Sequence, residues 1–270
     1  MEGRASADLE ILFRICSAVH SAVRQASRSP RRADVVGMGA YGAPTQEIDQ
    51  AAEAQVLSIL DEEGVDWNLL SEEIGFVRRG GTRTLAVDPV DGSHNALRGL
   101  PFATVSLALG EKDLAGIEVG VIHDLFLGST YWGIKGKGAF LDGQPIRTRP
   151  WDPKSELFFV NLGRHSTPRM VALTGKGRRI RSLGCASYEM VSVARGAADA
   201  YLFENDTPGR NLRVIDIAAA YRVLVEAGGG ASDITGQPLE TMPLDLEERR
   251  SVFAWGDRAF AAAARAEGYL

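Results

Sequence analysis

A mixed α/β (α+β) architecture is what the 270 residues predict, and three observations predict it. Apolar residues recur at helical spacing near the start, β-prone runs crowd the stretch from about 84 to 146, and short strands alternate with helices beyond Pro150. A hydrophobic content of 45% with 24% charged residues is that of a globular chain long enough to bury a large core. The formal charge of -5 and a pI near 5.5 argue against nucleic acid as a partner, which calls for a basic face. Acidity is no bar to a phosphorylated ligand, because bound cations can supply the positive charge that phosphate needs.

Leu9, Leu12, Ile15, Cys16, Val19 and Val23 line one face of a helix expected over about 7–27. The stretch RRADVVGMGAYGAPT sets Gly37, Gly39 and Gly42 close together and reads as a loop or flexible hairpin over 35–44. A second helix follows, with Thr45 expected as its N-cap and Ile48, Ala52, Val56, Leu57 and Leu60 turned to the core. Residues 84–87 form a short buried strand that ends at Asp88, where Pro89 is expected to stop ladder pairing. Runs at 102–109, 117–122 and 128–132 are β-prone, and the Asp-Gly of KGKGAFLDGQPI marks a hairpin. Farther on, strands at 157–161 and 200–203 alternate with helices at 187–195 and 216–227, and an alanine-rich helix covers 257–267. That change of texture divides the chain into 1–150, an α+β part expected to bind metal and phosphate, and 151–270, an α/β part completing the site.

Cys16 and Cys185 are too few for a disulfide framework and read as reduced thiols. The N-terminal residues have no uninterrupted apolar h-region, and no stretch reaches the ~20 apolar residues of a membrane span. The expectation is a cytoplasmic protein without a membrane partner. His20, His94, His123 and His165 lack zinc-ligand spacing.

The most informative segment is LAVDPVDGSHN, residues 85–95. A strand ending at Asp88, a stiff Pro89 and a permissive Gly92 let Asp88 and Asp91 aim at one spot, with the Val90 carbonyl between them. Paired carboxylates repel unless cations separate them, and hard oxygens at that density suit magnesium. A helix starting at Gly92 would turn its free amides to the same spot. Taken alone, Asp-Pro-x-Asp-Gly is also a plain turn capping a helix. Ser71-Glu72-Glu73 alone is also a solvated turn, Asp216 also a helix N-cap, and Asp49 also a surface carboxylate.

Order and spacing together carry more. SEEIG, then AVDPVDGSHNALRGLPFATVSLAL, GAFLDGQPI, LGCASYEMVSVARGAADAYLF and LRVIDIAAAYRVLVEAGGGASDITGQPL resemble the inositol monophosphatase/fructose 1,6-bisphosphatase superfamily along nearly the whole chain. MGAYGAPTQEID and PGRNLRVIDIAAA resemble its archaeal branch with both activities. The resemblance implies a layered αβαβα sandwich, commonly a homodimer, and hydrolysis of inositol 1-phosphate and/or fructose 1,6-bisphosphate, which the sequence does not rank. It implies two or three magnesium ions, with manganese as an alternative. One would be held by Glu72, Asp88 and the Val90 carbonyl, and a second by Asp88, Asp91 and Asp216. Glu72, Asp49 and Ser93 would serve the attacking water, and the 35–44 loop would close over the site with a third ion. Gly92 and Ser93 match the phosphate-contacting turn, Asp91, Gly184, Cys185 and Ala186 the sugar pocket, and Arg181 a substrate-binding arginine. Three departures stand out: Ser71 replaces a glycine, Ile215 a tryptophan, and Thr207 an arginine before Pro-Gly, with Arg210 or Arg213 as substitutes. The competing readings are a 3′-phosphoadenosine nucleotide phosphatase and a non-catalytic binding protein on the same fold.

Overall fold

The computed structural model describes residues 2–268 apart from 28, 30–32 and 40–43. In chain order it begins with α1 (Glu2–Ala26), a hairpin of β1 (Val35–Met38) and β2 (Pro44–Gln46), and α2 (Glu47–Glu62). Next come β3 (Asn68–Ser71), β4 (Gly75–Val77), β5 (Thr84–Asp91), α3 (Ser93–Arg98), β6 (Thr104–Gly110), β7 (Ile117–Asp124), β8 (Thr130–Ile134), β9 (Gly138–Leu141) and β10 (Gln144–Ile146). The rest holds β11 (Phe158–Val160), α4 (Pro168–Leu173), β12 (Ile180–Arg181), α5 (Ala186–Ala194), β13 (Ala200–Phe203), α6 (Val214–Glu226), β14 (Gly230–Ser232), β15 (Val252–Trp255) and α7 (Arg258–Ala266).

Eight strands form one sheet in the order β10-β9-β8-β7-β6-β5-β3-β4, antiparallel except where β3 runs parallel to β5. A second sheet of five has the order β12-β11-β13-β15-β14. Side-chain alternation assigns the faces. Leu85 and Val87 of β5 join α1 and α2 in one apolar cluster, while Ala86 joins α5 and α6 in another. Tyr201, Val252 and Ala254 of the second sheet pack into that same α5/α6 cluster, and its outer face, Phe158, Leu202 and Phe253, meets α4 and α7. The order is helices, sheet, helices, sheet, helices: the αβαβα sandwich.

Strand membership changes between β10 and β11, yet α5 and α6 are buried against both sheets. Two glycines permit that close approach. A Cβ on Gly120 of β7 would lie 2.5 Å from the Ala219 carbonyl of α6, and one on Gly133 of β8 would lie 2.9 Å from Val223 Cα. Backbone cannot yield as a side-chain tip can, so Gly120→Ala should cost roughly 2–4 kcal/mol, the range of severe core overpacking. Thermal unfolding read by calorimetry checks this; an unchanged Tm would mean that α6 can shift freely.

Two local expectations change. Gln46, not Thr45, is the N-cap of α2, because the helix starts one residue later and the Thr45 hydroxyl is drawn to Glu73. And β5 does not stop at Asp88: it continues to Asp91, which pairs with Thr104, while Asp88 pairs with Ser106. Three residue steps on β5 thus face two on β6, a bulge, and Pro89 sits inside it where its missing N–H does no harm. The hairpin expected over 35–44 is seen in the β1–β2 pairing. Gly42 and the tip at 40–43 lie outside the described residues, and with them any closing over the site.

Candidate metal and phosphate site

At the end of β5 opens a cleft of about 520 Å³. Asp49, Glu72, Asp88, Val90, Asp91, Gly92, Ser93 and Asp216 all line it, joined by Gln46, Glu73, Pro89, His94 and Leu212. Carboxylates from α2, β3's end, β5 and α6 therefore share one cleft although they span 168 positions of sequence. The bulge explains how two of them come from one strand. Residues three apart on a regular strand point to opposite faces, and the extra residue restores parity. Accordingly, Val90 falls in the α1/α2 cluster and both aspartates turn to the α5/α6 side.

Gly92 follows with φ +82°, a left-handed backbone that favours glycine, and it is the N-cap of α3. A Cβ there would lie 2.6 Å from the Phe102 carbonyl and 3.2 Å from Cys185 Cβ. Asp216 is not the N-cap of α6. It is the third helical residue, and its Oδ2 accepts the Arg213 amide at 2.7 Å.

Every carboxylate keeps a protein partner. Asp88 Oδ1 accepts the Val90 amide at 3.1 Å, Asp49 Oδ2 accepts the Gln46 amide at 3.4 Å, and Glu72 forms an ion pair with buried Arg213. Asp91 Oδ2 accepts from the Ser187 amide at 2.7 Å and the Ser187 hydroxyl at 2.5 Å. Among the described residues no three His, Cys, Asp or Glu side chains already converge as ligands of an ion.

The charges are nonetheless crowded. Burial pushes Asp88 well above the usual carboxylate range, and repulsion from Asp91, Asp216 and Glu72 adds to it. Burial raises Asp216 to about 7, against the pull of the Arg213 amide and with further repulsion from Asp91 and Glu72. Asp49 also rises to about 7, first through burial and then through Glu73. Asp91 rises through burial, opposed by the Ser187 donors. Groups held this way favour a proton or a cation. The donors are carboxylate and carbonyl oxygens, the set that fits a hard divalent ion.

Cys185 and Ala186 sit against Asp91, Gly184 lies beside Asn95, and none of the three is among the cleft-lining residues. Cys185 Sγ is 3.3 Å from Asp91 Oδ2, and Asn95 Nδ2 donates to the Leu183 carbonyl at 2.7 Å, tying α3 to this segment. Arg181, Thr207 and Arg210 are exposed and are not among the cleft-lining residues. Arg181 donates to the Ile180 carbonyl, Thr207 to Asp206, and the Arg210 carbonyl accepts from Asn205.

Sequence reading missed Arg213 as the partner of Glu72, Arg249 in the field of Arg213, Asp216 and Glu72, and Ser187 on Asp91. It also missed an outer layer of carboxylates, Glu73 bonded to Thr45 and Glu53 bonded to Ser71. The Glu at the second position of Glu72-Glu73 was the one available signal.

The profile of the inositol monophosphatase family matches residues 6–267. A Methanothermobacter thermautotrophicus protein named fructose-1,6-bisphosphatase/inositol-1-monophosphatase is 31% identical over 263 residues, covering 92% of this chain and 91% of its own length. A Methanococcus maripaludis bifunctional NADP phosphatase/NAD kinase is 32% identical over 267 residues, covering 90% of this chain and 46% of its own. A solved Pyrococcus horikoshii structure, described as having similarities to inositol-1 monophosphatase, superposes with a TM-score of 0.80 at 27% identity, covering 95% of this chain and 96% of that one. Among the described residues no helix is long and apolar enough to cross a membrane. The chain belongs to the inositol monophosphatase family of phosphoric monoester hydrolases, in the branch of its archaeal dual-activity members.

Proposed function

We propose that the chain is a magnesium-dependent phosphatase of small phosphorylated sugars and cyclitols, inositol 1-phosphate and fructose 1,6-bisphosphate foremost. The observation that carries this is the meeting of Glu72, Asp88, the Val90 backbone, Asp91 and Asp216 in one desolvated cleft beside the Gly92–Ser93 turn. The family is generally metal-dependent. Bound divalent ions would neutralise the phosphate, activate a water and stabilise the leaving oxygen, with two or three magnesium ions expected and manganese as a substitute.

The chain's own residues then have distinct tasks. Asp88, Asp91 and Asp216 hold negative charge where cations must sit. Glu72 joins them once its ion pair with Arg213 is exchanged for a metal ion. The amides at the start of α3, which have no intrahelical acceptor, receive phosphate oxygens, and the Ser93 hydroxyl orients the water. Asp49, which lines the same cleft, orients that water together with Ser93. Cys185 and Ala186 line the sugar side next to Asp91. Arg181, Thr207 and Arg210 remain proposed contacts of a larger substrate, reached beyond the cleft itself. The homodimer and the cytoplasmic setting belong to this proposal, as does a division of labour between 1–150 and 151–270.

The NADP phosphatase relatives favour one second reading, a nucleotide 2′- or 3′-phosphate as substrate. One assay separates the two. Phosphate release is measured from inositol 1-phosphate, fructose 1,6-bisphosphate, NADP and a 3′-phosphoadenosine nucleotide, each with magnesium and with a chelator. Release from the first two should exceed release from the nucleotides at least tenfold and vanish on chelation. Turnover that survives chelation, or none on any of the four, would sink the proposal.

A further inference from the structure

We propose that Ser187, at the start of α5, is the positioning residue that aims Asp91 into the metal cleft; this rests on the metal-dependent reading above. Asp91 carries two demands at once, because it lines the cleft as a proposed ligand and accepts hydrogen bonds from the start of α5. Its Oδ2 accepts from the Ser187 amide at 2.7 Å, the Ser187 hydroxyl at 2.5 Å and the Cys185 thiol at 3.3 Å. A carboxylate only accepts, so the Ser187 hydroxyl spends its one proton there and its oxygen is left to accept from the Thr104 hydroxyl, 2.5 Å away. The result is a chain of donors, Thr104 to Ser187 to Asp91, that runs from the buried interior to the cleft. Ser187 and Thr104 are both 0% exposed. Such chains strengthen one another in a low dielectric.

The helix adds to the same effect. The Ser187 amide belongs to the first turn of α5, whose amides have no intrahelical acceptor, and the carboxylate of another strand supplies one. With Oδ2 held on α5 by the Ser187 amide and hydroxyl, rotation of the carboxylate is opposed, which leaves Oδ1 as the oxygen we assign to the ion. Among the described residues, Asp88 and Asp216 have no comparable clamp; one oxygen of each accepts a single backbone amide. Ser187 thus sets the geometry of the one ligand that carries both a metal and a pocket wall.

The test is magnesium titration by calorimetry without substrate, with the melting temperature in chelator measured alongside. Ser187→Ala should weaken magnesium binding about tenfold or more, the usual loss for a partner that orients a ligand, while the metal-free melting temperature stays within a few degrees. Thr104→Val, which frees the Ser187 hydroxyl to turn, should weaken it two- to fivefold, and Thr104→Ser, which keeps the hydroxyl, should not. Wild-type protein that binds magnesium while Ser187→Ala binds it within twofold as tightly overturns the positioning role alone. Wild-type protein that binds no divalent ion overturns the metal reading and this role together. Should Ser187→Ala not fold, the Thr104 pair decides: equal affinities for Val and Ser variants overturn the role.

Discussion

Asp91→Asn should cut magnesium-dependent phosphate release by about a thousandfold, near 4 kcal/mol of transition-state stabilisation, with little change in fold. The reason lies in the two sides of that one side chain. An asparagine can turn its carbonyl oxygen to the Ser187 donors and keep the start of α5 capped. Its NH2 group must then point into the cleft, where a donor stands in place of an anionic ligand. The site loses one negative charge and gains a group that repels a cation. Neither circular dichroism nor the metal-free melting temperature should fall, since the asparagine oxygen keeps the Ser187 hydrogen bonds and the buried charge is removed. Phosphate release within tenfold of wild type would remove Asp91 from the metal set.

Metal-free protein should lose stability as the pH rises from about 4 to 7, and magnesium should reverse the trend. Asp49 and Asp216 are each raised to about 7 by burial. In that window the folded chain binds more protons than the unfolded one, so stability falls with increasing pH and levels off above the folded value. Both groups are partly open to the cleft, and the loss is on the order of 2 kcal/mol, or roughly 5 °C. A bound cation replaces the protons, so its affinity grows through the same window and saturates above it. Melting temperatures in chelator and in magnesium, from pH 5 to 8.5, should diverge upward with pH. Parallel curves would mean that these carboxylates do not meet the ion.

What the sequence made legible was mostly local chemistry. The buried strand before Asp88, the Asp142-Gly143 hairpin turn with both residues at positive φ, and the alanine-rich final helix follow from short-range rules. The continuation of β5 through Pro89 did not, because proline normally ends a ladder and only pairing with β6 reveals the bulge. Thr45 looked like a cap because threonine is a good one; its hydroxyl instead serves Glu73, 28 positions away. Ser187 and Thr104 are ordinary small polar residues whose role exists only where β6 meets α5. Arg181, Thr207 and Arg210 mark the opposite limit. Motif order places a residue along the chain, but not the direction in which its side chain points.

The cap that Asp91 supplies to α5 has one more consequence. A strand of the eight-stranded sheet completes a helix sandwiched between the two sheets, through the same oxygen that fixes the cleft. Cohesion of those layers and the placing of Asp91 in the cleft therefore share one hydrogen-bonded junction. Loosening α5 from the eight-stranded sheet would also release the carboxylate that faces the cleft.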